Sequence, residues 1–153
     1  MKKYLYAVVI IVGFGSVPAA LANHSWSSYH WSHTTTPFAL TLGDNVTSTW
    51  DSYLITTSNA WSLSDVLDTI VAAGTAPRHK SPNRDCLPVA GTVQVCNKAY
   101  GNNGWLGLAQ IWISGPHITQ GVAKMNDSYF NTAKYNNPNE KLHVMCQEVG
   151  HTF

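Results

Sequence analysis

From Pro37 onward short apolar stretches alternate with polar interruptions, and the spacing of the apolar positions changes along the chain. Pro37 to Leu42 alternates well enough for a first strand, ended by Gly43-Asp44-Asn45. In VTSTWDSYLITTSNAW, the residues Val46, Trp50, Tyr53, Leu54 and Trp61 fall near helical spacing. A helix laid on a sheet is expected there, with Thr47 or Ser48 capping its start. Ser64 to Ala72 suggests a second strand, and Gly74 to Asp85 reads as a loop bearing Pro, Arg and Lys. After Gly91 come GTVQVCNKAY, GLAQIWIS and HITQGVAKMND, rich in β-branched and aromatic residues and separated by GNNG and SGP turns. They predict three successive strands. Asp127 to Glu140 is a polar, Asn-rich connection, and the chain shows no internal repeat and no low-complexity tract.

The last stretch is helical in pattern. Leu142, Met145, Cys146, Val149 and Phe153 share one stripe, expected to pack on the sheet, while Gln147, Glu148 and His151 lie on the opposite face. Asn139 with Glu140 supplies a polar start. Gly150 inside a helix costs about 1 kcal/mol relative to Ala, which predicts a close approach by another backbone. The chain stops at Phe153 without the Gly or Lys that usually closes a helix. A free carboxylate there would face the negative end of the helix dipole, so a C-terminally truncated sequence is expected.

The opening residues change the picture of where the protein works. Two lysines, an apolar run from Leu5 to Phe14 and the small residues Ala20 and Ala22 read as a signal peptide over 1–22. The run is shorter than the roughly 20 apolar residues a membrane span needs. A secreted, extracellular chain follows, with a Ser, His and Trp rich leader at 23–36 and a single domain at 37–153. Charged residues make up 11% and the formal net charge is +1, so no basic cluster gathers nucleic acid or acidic membrane. A monomer is expected.

Three cysteines are an odd number for an exported chain. Cys86 and Cys96 bracket a segment with a Pro-Val-Ala-Gly turn that allows a disulfide, leaving Cys146 unpaired, either as a free thiol or for want of a partner. Asn23-His-Ser, Asn45-Val-Thr and Asn126-Asp-Ser match the glycosylation acceptor pattern.

Gln147-Glu148-Val149-Gly150-His151 resembles the H-E-x-x-H signature of zinc metallopeptidases, and His151-Thr152-Phe153 resembles the opening of the longer metzincin form. The segment GWLGLAQIWISGPHITQGVAKMND and the leader are also similar to secreted matrixin-like and reprolysin-like catalytic domains. The resemblance implies an α+β fold: a mixed twisted sheet of about four to five strands packed on two helices, the second carrying the metal-site motif. It implies one catalytic zinc, with His151 and Gln147 as ligands and a third histidine beyond Phe153. It makes Glu148 the general base that takes a proton from the attacking water. Leu108, Ala109 and Gln110 would then lie on the sheet edge along the cleft, where a peptide or protein substrate adds as a strand.

Gln147 stands where the pattern has a histidine. Its neutral amide binds zinc less tightly than imidazole, which leaves three readings: a weak ligand, another histidine in its place, or a site without metal. His143 is too far from His151, about 12 Å along a helix axis. His24, His30, His33, His79 and His117 fall on loops or the leader and read as structural or solvent-facing. Three functions remain open. They are a secreted zinc-dependent metalloendopeptidase, a catalytically inactive metzincin-like binding or structural module, and an unrelated adhesion domain.

Overall fold

The computed structural model describes residues 26–75 and 86–153. The signal-peptide assignment, Asn23, His24 and His79 lie outside the described residues. The elements run β1 (His30–Trp31), β2 (Phe38–Asn45), α1 (Asp51–Trp61), β3 (Leu67–Ala73), β4 (Thr92–Lys98), β5 (Gly107–Ser114), β6 (His117–Asn126), α2 (Asp127–Phe130) and α3 (Pro138–Gly150). The protein is a mixed α/β structure whose sheet is mostly parallel.

The sheet runs β3, β2, β4, β6, with parallel pairing throughout and Val93 opposite Gly121 and Leu42 opposite Val93 in register. β5 pairs antiparallel along β6 from Gly107 opposite Met125 to Ser114 opposite His117. β1 adds two residues, parallel, at the start of β6. Because β5 holds one edge of β6 over this length, β1 and β4 share the other.

Position in the sheet explains composition. β4 lies between β2 and β6 and buries Val93, Gln94, Val95 and Cys96 in succession, the run expected of a strand covered on both faces. β5 buries Ala109 alone, as an edge strand can. Both long helices lie on one face, since α1 touches α3 and β3 while α3 touches β5 and β6. Between helices and sheet lies the main core, with Leu42, Trp50, Leu54, Val93, Val95, Met125, Phe130, Met145 and Val149. The disulfide of Cys86 with Cys96 packs on Val122 as a small separate cluster, built from the opposite faces of β4 and β6.

Several local expectations are corrected. The leader is partly structured: β1 falls within it and Trp31 is buried. Among the described residues there are three helices rather than two, because the Asn126 side chain accepts from the Ser128 backbone N–H and starts the single turn of α2 inside the expected connection. α1 begins at Asp51 without a side-chain cap. Thr47 does not cap it because its N–H donates to Asn97 Oδ1 and its hydroxyl accepts from Asn97 Nδ2, tying this loop to β4. The buried face of α1 also includes Thr57 and Ser58, whose hydroxyls bond to Cys146 Sγ and to Thr69. α3 is capped by Asn137, which accepts from Asn139 N–H at 2.8 Å, with Pro138 at its first turn.

The packing of α3 differs from a single stripe. Met145 and Val149 are buried as expected, but Leu142, Cys146 and Phe153 are only half-buried. Val144 is buried instead. It lies two residues from Leu142 and so on nearly the opposite side of the helix. The helix is therefore covered on two sides, by the core and by β5.

Candidate active site

The second covered side holds Glu148, one turn after Val144. Its carboxylate accepts from the backbone N–H of Ala109 on β5. Gly107 lies directly against α3: a Cβ placed there would lie 2.6 Å from Val144 Cγ1 and 2.8 Å from Glu148 Cδ, and closer still to Glu148 Cγ. Burial pushes the Glu148 carboxyl above its ordinary pKa, while the nearby His151 and the Ala109 N–H pull it back down. The carboxyl is thus half-buried between a helix and a sheet edge, beside an imidazole.

On the other side of α3 a cleft of about 440 Å³ is lined by Trp61, His143, Gln147, Gly150 and His151. Gln147 is exposed and His151 half-buried. His151 ends the helix, its N–H donating to Gln147 O at 2.9 Å. Trp61, at the end of α1, reaches across with its indole N–H donating to the Cys146 carbonyl at 3.1 Å. A Cβ at Gly150 would overlap Trp61 Cζ2 and lie 3.1 Å from Cη2. The close approach expected at Gly150 is therefore made by an indole and not by a backbone. Trp61 also packs edge-on to Phe153, with ring centroids 5.0 Å apart.

The leader closes over the end of the motif. Trp26 donates its indole N–H to the His151 carbonyl and sits edge-on to the His151 ring at 6.4 Å. Trp31 donates to the Thr152 carbonyl at 2.7 Å. The remaining described histidines lie away from the cleft. His30 stacks edge-on against His117, which opens β6 rather than sitting in a loop, and His33 stacks on Phe38. The fold brings Gln147, Glu148 and His151 to one turn, adds His143 and Trp61 to the cleft, and leaves His30, His33 and His117 out of it. His143 lines that cleft although it lies two turns from His151, so it can meet a ligand of the cleft without sharing one ion with His151. Trp61 as a wall of the site had no local signal; only Gly150 hinted at a neighbour.

As a metal site, this arrangement is incomplete. Gln147 and His151 are four apart on a helix and can reach one ion, but a zinc site takes three protein ligands or more. Among the described residues no group of three or more His, Cys, Asp or Glu side chains could hold a metal. Two donors, one of them a neutral amide, do not make a tight zinc site by themselves.

Leu108 and Ala109 are half-buried and buried on β5, and Gln110 is exposed. Among the described residues β5 pairs with β6 alone, so its other edge is open. The Ala109 N–H, turned to Glu148, belongs to that open edge. Cys146 carries a free thiol, 3.2 Å from Thr57 Oγ1. Two acceptor-pattern asparagines are occupied: Asn126 is fully buried, its amide donating to Gly101 O, Asn103 Oδ1 and Trp105 O, and Asn45 donates to Gln94 Oε1 at 2.8 Å. The folded protein offers neither amide to a sugar. No described helix is long and apolar enough to cross a membrane.

Comparison of the chain with protein-family profiles, with curated proteins and with solved structures returns no match.

Proposed function

We propose that this chain is the metzincin-like domain of a secreted, zinc-dependent metalloendopeptidase, in which Glu148 is the general base for hydrolysis of a peptide bond in a peptide or protein substrate. The observation that carries this reading is the seat of Glu148: a carboxyl with a raised pKa, beside His151, at the open edge of an antiparallel strand. A base works best when its pKa approaches the working pH, and partial burial moves Glu148 that way. An extended peptide laid along β5 would bond to the strand's free backbone groups and pass within reach of the carboxyl. The order of elements, with α3 as the last helix under the sheet edge, also supports the metzincin reading. A zinc ion held by His151 and Gln147, with a further ligand, would supply Lewis-acid polarisation of the scissile carbonyl.

A second reading, a metzincin-like module that binds peptides without cleaving them, is favoured by Gln147 itself, exposed and neutral where the pattern has imidazole. One experiment separates the two. The protein, supplied with zinc, is assayed on a mixed peptide library with and without chelator. Chelator-sensitive hydrolysis that falls at least about 100-fold in Glu148→Ala is expected. Peptide binding without cleavage supports the inactive module. In the same series Gln147→His is expected to tighten zinc binding by at least tenfold, measured by competition with a chromophoric chelator.

A further inference from the structure

We propose that Gly107 is a positioning residue for Glu148: the absence of a side chain at this place on β5 is what lets the carboxyl lie against the strand edge. The proposal rests on the peptidase reading for its meaning in catalysis, and on packing alone for its geometry. Gly91, Gly101, Gly104 and Gly115 adopt positive φ, which explains glycine at turns, whereas Gly107 does not. Its backbone suits any residue, so only space calls for glycine there.

The neighbours decide what an added methyl would move. Val144 is buried and β-branched, with one stiff torsion and the core behind it. Glu148 is half-buried with three rotatable bonds, and both its Cγ and its Cδ lie within 2.8 Å of the added atom. The carboxylate therefore yields first, swinging away from the Ala109 N–H while the strand and helix stay in place. A base displaced by about 1 Å loses on the order of 100-fold in rate. The backbone of β5, which would hold the peptide, keeps its course.

The test combines an amide signal with kinetics on the full chain. Glu148→Ala defines the Ala109 amide cross-peak without its carboxylate partner in a proton–nitrogen correlation spectrum. Gly107→Ala is expected to move that cross-peak to the same position, to keep the dispersion of the rest of the spectrum, and to lower kcat by about 100-fold with KM unchanged. An Ala109 cross-peak left at its wild-type position in Gly107→Ala overturns the proposal, as does one that Glu148→Ala fails to move. Should the wild-type protein hydrolyse nothing, the peptidase reading falls while the cross-peak still decides the positioning. Should Gly107→Ala fail to fold, the double variant with Val144→Ala removes the stiff obstacle and is read in the same way. Failure of both to fold makes Gly107 a packing residue and overturns the proposal.

Discussion

On one flank of α3 a glycine admits a carboxylate, and on the other a glycine admits an indole. Gly107 belongs to the strand and faces the long, half-exposed Glu148; Gly150 belongs to the helix and faces Trp61. The two gaps are similar in size and differ in what fills them. A Glu side chain can leave at little cost, because water waits for its carboxylate. The Trp61 ring cannot, since its N–H is held by the Cys146 carbonyl and its edge meets Phe153. The flank that tolerates change therefore carries the candidate general base, and the flank that does not holds the helix in place beside Gln147 and His151.

The largest effect on stability should come from the rigid flank. Gly150→Ala gains helix propensity of about 1 kcal/mol but forces a methyl into the indole, and overpacking of this kind costs about 1–3 kcal/mol. A net loss is expected, seen as a melting temperature lower by several degrees. A melting temperature at or above wild type would mean that Trp61 moves as freely as Glu148, and the contrast between the flanks would disappear.

A smaller effect sharpens the same contrast. Trp61→Phe removes the part of the ring that a Gly150 methyl would meet, together with the hydrogen bond to Cys146. Alone it should destabilise by about 1 kcal/mol for the lost bond, plus its share of packing. Combined with Gly150→Ala it should be less damaging than the sum, with a coupling of about 0.5–3 kcal/mol by denaturant unfolding of the cycle. Strict additivity would show that the two side chains do not share the space.

Much of this architecture was legible in the alternation of the chain. The sequence predicts the three strands after Gly91 and the strand near Pro37 to within a few residues, because each combines β-branched residues with Gly, Asn or Pro at its ends. The motif on α3 was legible because its three side chains are local. What escaped notice depends on contacts far apart in sequence. Thr57 and Ser58 break the apolar pattern of α1 because Cys146 and Thr69 satisfy their hydroxyls. Asn126 reads as a glycosylation acceptor but is the pin of the loop before β5, with Gly101, Asn103 and Trp105 around its amide. Val144 falls outside the predicted stripe because the stripe rule supposes one covered side, whereas β5 covers a second. Gly150 signalled a neighbour without naming it, and Trp61, 85 residues from its partner Cys146, is invisible to any local window.

The smallest effect concerns the flexible flank and depends on pH. Burial raises the folded-state pKa of Glu148 above its unfolded value, against the opposing pull of His151 and the Ala109 N–H. The folded protein therefore holds this proton more tightly than the unfolded chain. Below the ordinary carboxylate range both states are protonated and the group makes no difference. As pH rises from that range through the raised value, the unfolded chain ionises first and the folded protein loses stability. Glu148→Gln is neutral at every pH and keeps an oxygen for the Ala109 N–H. It should melt like wild type in acid and slightly higher at neutral pH. Water reaches the half-buried carboxyl, so the gain is small. The check is a pair of thermal melts, one below the carboxylate range and one at neutral pH. A Gln variant that is less stable only at neutral pH would mean that the imidazole and the strand N–H hold the ionised form more firmly than burial opposes it. The flexible flank would then grip its side chain as tightly as the indole side does.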